Sequence, residues 1–224
     1  MAITEIRRRI TTGELPPEVS FSEATLCEEL GMSRAPVREA LIVLNQLGWV
    51  TSQPRSGYLV APMTLNDLRD LYTMRSLLEP KAAAQAVRQI EELPDEAGSL
   101  SDFSANHDDP SDPEWLNRHY RFHRRIVVVG LNREMDRVLS EVLLKLERYF
   151  LIDAVQRALA EEPLAHHDLA NAIVSGDHKA AADAAALHIS QSRVLVTEAI
   201  LSSDGIRSMP LSRSAGSPPR GAAQ

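Results

Sequence analysis

The sequence predicts a mainly α protein in two parts. An N-terminal winged helix-turn-helix domain fills residues 1–62 and a C-terminal all-α bundle residues 63–202, ahead of a disordered tail over 203–224. Three observations carry this expectation. Two short capped helices joined by a tight turn fit Ser22 to Leu44, strand-like composition is confined to the stretch just behind them, and from Leu65 apolar residues recur at helical spacing. A 4 % aromatic content beside 44 % hydrophobic residues, with Ala and Leu abundant, agrees with a helical majority.

The first helix carries Ile3, Ile6 and Ile10 on one side and ends near Gly13, with Pro16-Pro17 beyond it. Arg7, Arg8 and Arg9 on the same helix either touch a DNA backbone or form a solvated basic face. Ser22 caps the next helix, Gly31 stops it, and Ser33 caps another two residues later. Pro36 falls in that helix's first turn, where a missing N–H is no loss. Val37, Ala40, Leu41 and Leu44 turn inward, which leaves Arg34 and Arg38 one turn apart on another face. Guanidinium groups there suit phosphates and the O6/N7 edge of guanine. Gly48 to Thr51 and Tyr58 to Val60 read as strands around a hairpin tip, Ser52 to Gly57, with Arg55 placed to reach a groove.

Residues 61–64 form a connector and Thr64 caps the following helix, Leu65 to about Ile90, which Pro80 is expected to kink. Glu92 to Pro113 reads as a loop with at most a short helix at Leu100 to Asn106. Helices are then expected at Glu114–Gly130, at Arg133–Ala160 as one long element, at Leu164–Ser175 and at Asp177–Leu201. His119 and His123 lie one turn apart in the inward stripe of the first of these, and His166 and His188 share faces with the apolar residues of the last two. Imidazoles from three helices can converge on one divalent ion, Zn, Ni, Cu or Fe; the bland alternative is four hydrogen-bonded core histidines. His107, His167 and His178 read as solvated.

The run Gly13-Glu14-Leu15-Pro16-Pro17, with Leu30-Gly31-Met32-Ser33-Arg34, Pro36-Val37-Arg38-Glu39-Ala40-Leu41 and Arg55-Ser56-Gly57-Tyr58, closely resembles the winged domain of GntR-type bacterial transcription regulators. Glu18 stands where that family usually has a turn glycine, and Ala35 where it commonly has a threonine. Leu65 to Leu201 is similar to the FCD ligand-binding domain of the FadR-type branch. The resemblance implies a double-stranded DNA operator read by a homodimer, with contacts from Ser33, Arg34, Ala35, Arg38, Arg55 and Gly57. It also implies a metal held by His119, His123, His166 and His188. His119 takes the place of the family's Asp, which removes a negative charge and favours Zn or Ni over harder ions. Arg75 in Arg-x-x-x-Glu spacing with Glu79 is either an intrahelical ion pair or a clamp for a small organic-acid effector. The function expected is that of a ligand-responsive repressor.

Charge and composition bound the alternatives. The chain carries −7, and residues 1–63 hold six arginines against seven glutamates, so DNA affinity must come from local placement of cations. That balance leaves room for a rival, a winged domain that docks protein. A metalloenzyme is the other rival, but neither His-Glu-x-x-His nor a Glu-x-x-His pair occurs. No membrane span or signal-peptide core is read, and Cys27 is a lone structural thiol, so a cytoplasmic location is expected.

Overall fold

The computed structural model describes residues 2–92, Leu100, 115–130, 132–161 and 166–202. Helix α1 (Ala2–Thr11) buries Ile6 and Ile10 against α2 (Glu23–Leu30) and α3 (Arg34–Gln46), and a three-stranded antiparallel sheet closes the domain. The sheet order is β1 (Ser20–Phe21), β3 (Gly57–Val60), β2 (Val50–Gln53). The two-residue strand β1 is absent from the sequence expectation, being too short to carry an alternation. Ser22 caps α2 by accepting from the Thr25 N–H at 3.0 Å, and Gly31 at φ 61° ends it. Ser33 occupies the N-cap position of α3 with extended backbone, and the helical residues begin at Arg34, but the expected capping bond to its hydroxyl is not made.

Backbone strain is concentrated at two turns. Glu18 holds φ 63° and Arg55 φ 66°, a region that costs a residue with a Cβ about 1–2 kcal/mol. Glu18→Gly is therefore expected to raise stability by about 1 kcal/mol, measured as a higher urea midpoint; an unchanged or lower midpoint contradicts the strain assignment.

In the second part, Thr64 and Asp67 cap α4 (Leu65–Glu92) reciprocally: Asp67 N–H donates to Thr64 Oγ1 at 3.1 Å and Thr64 N–H to Asp67 Oδ2 at 3.2 Å. The helix runs through Pro80 without a break. It packs along α9 (His178–Ser202) and against α5 (Trp115–Val129), α6 (Arg133–Phe150) and α8 (His166–Val174). The single helix expected over Arg133–Ala160 is two: α6 ends at Phe150, Leu151-Ile152 turn, and α7 (Asp153–Glu161) follows. The turn lets Val155 and Leu159 fold back onto Leu146, Tyr149 and Phe150, where a straight continuation would carry them past the bundle. The Gln156 amide donates to the Phe150 carbonyl and secures the break.

Of the expected helix at Leu100–Asn106, Leu100 is helical and buried, while the rest, with His107, Glu114, Leu164 and the tail, lies outside the described residues. No helix among the described residues is long and apolar enough to cross a membrane.

The two parts meet through α6. Glu141 pairs with Arg7 and accepts from Trp49 Nε1 at 3.3 Å, Arg148 donates to the Ala61 carbonyl at 2.8 Å, and the Tyr149 hydroxyl donates to the Thr64 carbonyl at 2.9 Å.

Candidate nucleic-acid interface and histidine centre

On α3 the inward stripe Val37, Ala40, Leu41 and Leu44 is buried, which forces Ser33, Arg34, Ala35 and Arg38 to the surface. Arg34 makes no hydrogen bond or ion pair with the described residues. Arg38, its side chain 60 % exposed, is held by Glu23 of α2 through bonds of 2.8 and 2.9 Å. The guanidinium keeps the Glu23 carboxyl below the usual carboxylate range. This partner, fifteen residues away, leaves no mark in local sequence spacing.

Arg55 is exposed at the wing tip. Gly57, at φ 87°, is half-buried under β1; a Cβ there would sit 2.3 Å from the Phe21 carbonyl oxygen. Close backbone packing is thus sufficient reason for its glycine. The arginines of α1 are all engaged by acids. Arg7 pairs with Glu141 and lies 5.3 Å from the Trp49 ring, Arg8 binds Glu5 and Glu14, and Arg9 binds Glu5 and Glu29. Bonds from Arg8 and Arg9 hold the Glu5 carboxyl down to about 2.

The histidines converge. Helix α5 carries His119 and His123 into the bundle, α8 begins at His166 and α9 contributes His188; all four are buried. Donor atoms of His119, His123 and His166 lie within 4.8 Å of one another. His166 Nε2 is 3.0 Å from His119 Nδ1, and His188 Nε2 is 3.3 Å from His123 Nε2. Burial first, then the neighbouring histidines and Arg75, hold His119 and His188 neutral far below the ordinary imidazole range; burial, Arg75 and His166 do the same for His123.

Second to the histidines stands Glu79, whose carboxylate accepts from His123 Nδ1 at 2.7 Å and so turns the Nε2 lone pair toward His188. Arg75 is fully buried and pairs with Glu79, the intrahelical arrangement weighed from spacing. Its Nη2 is also 3.1 Å from His123 Nε2, where it competes for that lone pair, and its Nη1 has no partner among the described residues. His119 Nε2 is likewise buried without a partner. His178 is exposed with Nδ1 2.7 Å from the Ala84 carbonyl, and His167 is exposed beside Asp168.

This donor set fits a divalent metal. Bonds of about 2.0–2.1 Å to tetrahedral zinc set nitrogens roughly 3.3 Å apart, close to the His166–His119 and His188–His123 separations. The histidines would be its ligands, and Glu79 would orient one of them.

Two family descriptions match the chain: bacterial regulatory proteins of the gntR family over residues 1–60, and the FCD domain over residues 70–191. It is 32 % identical over 203 residues to the HTH-type transcriptional regulator Mce2R of Mycobacterium tuberculosis, a match spanning 81 % of this chain and 84 % of the relative. To the HTH-type transcriptional regulator YdhC of Bacillus subtilis it is 27 % identical over 141 residues, 62 % of this chain and 63 % of the relative. Among solved structures it superposes on Escherichia coli McbR/YncC with a TM-score of 0.64 at 20 % identity, covering 88 % of this chain and 95 % of that one, which is a likeness of fold.

Proposed function

Because this chain belongs to the gntR family of bacterial regulatory proteins and carries an FCD domain behind its DNA-binding domain, we propose that it is a ligand-responsive repressor that reads a pseudo-palindromic operator as a homodimer. It is a DNA-binding transcription regulator, and the relatives it matches are regulators rather than enzymes. The observation that carries the finer reading is the exposure of Arg34 and Arg38 on the opening turns of α3. Helix α3 enters the major groove with Arg34 and Arg38 toward base edges and phosphates, Ser33 and Ala35 beside them, and the wing lays Arg55 and the Gly57 backbone along the duplex. Retention on duplex DNA at moderate salt tests this: wild-type protein is retained and an Arg34→Ala, Arg38→Ala variant is released, whereas equal retention rejects it.

In the helical domain His119, His123, His166 and His188 hold Zn or Ni, and Arg75 beside them contributes positive charge for a small organic acid. A bound metal supplies a Lewis-acidic position for a carboxylate oxygen. The unpartnered Arg75 Nη1 supports this placement of the acid. Release from DNA follows if the acid binds one relative placement of the two domains better than another. The Arg7–Glu141–Trp49 contact and the 61–64 connector are the parts that such a shift must move.

A dimer is supported by a stripe of exposed apolar residues on α9, where Leu187, Val194 and Leu201 are 59 %, 47 % and 49 % exposed at seven-residue intervals, with Leu77 of α4 at 66 %. Seven-residue spacing keeps such a stripe on one side of a helix and suits a symmetric pairing. Leu187→Glu with Val194→Glu is expected to give a monomer in sedimentation velocity; an unchanged dimer moves the interface elsewhere.

A further inference from the structure

We propose that the cleft between the two domains, bounded by α4, α6 and the connector, is a second ligand site that takes a small organic monoanion with an apolar body. The cleft measures about 580 Å³, within the size range of small-molecule sites. Lys145 and Arg148, three residues apart on α6, line it, and neither has an ion-pair partner among the described residues. Arg148 is only 8 % exposed, and its single hydrogen bond there is from Nη2 to the Ala61 carbonyl. Its guanidinium carbon lies 5.9 Å from the Trp49 ring, and the side chain lines the cleft. A largely buried guanidinium whose nearest acid, Asp67, makes no direct ion pair with it gains from an anion that completes its shell.

The opposite wall sets the ligand's character. Leu71 and Met74 give it apolar surface, while Asp67 and Asp70 keep it negative. Asp70 is paired with Arg69, and Asp67, which accepts from Thr64, keeps its charge and attracts Arg148 through space without forming an ion pair with it. Their charge nevertheless disfavours a ligand with two negative charges, whereas one carboxylate held between Lys145 and Arg148, its apolar body against Leu71 and Met74, meets every wall. Gly48 and Ala61 bring the winged domain into the same cleft. A ligand seated there touches both domains, so its binding energy acts directly on their relative placement. The site is independent of the metal reading, since it shares no residue with the histidine centre.

Calorimetric titration of benzoate into full-length protein tests the proposal. Saturable binding is expected, weakened roughly tenfold or more by Lys145→Met and by Arg148→Met, and left unchanged by His166→Ala. Lys145→Met decides alone if Arg148→Met, which also loses the Ala61 bond, fails to fold. No benzoate binding up to about 10 mM, unaltered binding by the cleft variants, loss of binding in His166→Ala, or inorganic phosphate binding in benzoate's place would each overturn it.

Discussion

Arg38→Ala is expected to weaken operator binding by about 1–3 kcal/mol for each half-site, with the thermal midpoint almost unmoved. The asymmetry follows from where the side chain sits. Its only partner among the described residues, Glu23, forms an exposed pair with it, and exposed pairs contribute about 0–1 kcal/mol to stability. The same pair predicts an opposite effect from the other partner. Glu23→Gln frees the guanidinium and removes an anion from the DNA-facing side, so binding should tighten by a few tenths to about 1 kcal/mol. Gel-shift titration of the two variants against wild type separates the readings: a merely structural pair would lower stability in both and shift DNA affinity in neither.

Zinc addition is expected to raise the thermal midpoint, and chelator to lower it. At roughly 100 times its dissociation constant a ligand of the native state adds about 2.7 kcal/mol, which for a chain of this length means about 5–10 °C. His166→Ala and His188→Ala should each abolish most of that shift; a midpoint indifferent to both zinc and chelator would leave the four histidines as core residues.

The metal-free protein should also be acid-sensitive in a defined direction. His119, His123 and His188 stay neutral far below their ordinary range when folded, whereas in the unfolded chain they take up protons near pH 6.5. Below that pH the unfolded state binds more protons, so stability is full above about pH 6.5 and falls as the pH drops, by up to about 1.4 kcal/mol per unit for each group. Urea midpoints at pH 7.5 and 5.5 read this directly, and metal release on acidification acts in the same sense.

Much of the architecture was legible because local chemistry determines it. Ser22, Gly31 and Pro36 punctuate the two short helices, and the stripe Val37, Leu41, Leu44 fixes which way Arg34 and Arg38 must point. Helical periodicity likewise turned His119 and His123 inward, and their meeting with His166 and His188 needed only that three helices share one core. The break at Leu151-Ile152 was hidden since no Gly or Pro marks it and Val155 and Leu159 continue an apolar pattern; only the tertiary advantage of folding back decides it. Contacts across the domain junction, Glu141 with Arg7 and Trp49, or Arg148 with Ala61, join residues far apart in sequence and leave no spacing to read. The role of Glu79 was half visible: its interval from Arg75 was plain, its bond to His123 was not.

Selection from a random-sequence duplex library tests most directly whether α3 reads DNA through its two outward arginines. Wild-type protein should enrich one pseudo-palindromic motif with half-sites about one helical turn, or a multiple of it, apart, and the Arg34→Ala, Arg38→Ala variant should enrich none. No motif from the wild type, or the same motif from the variant, would contradict the account.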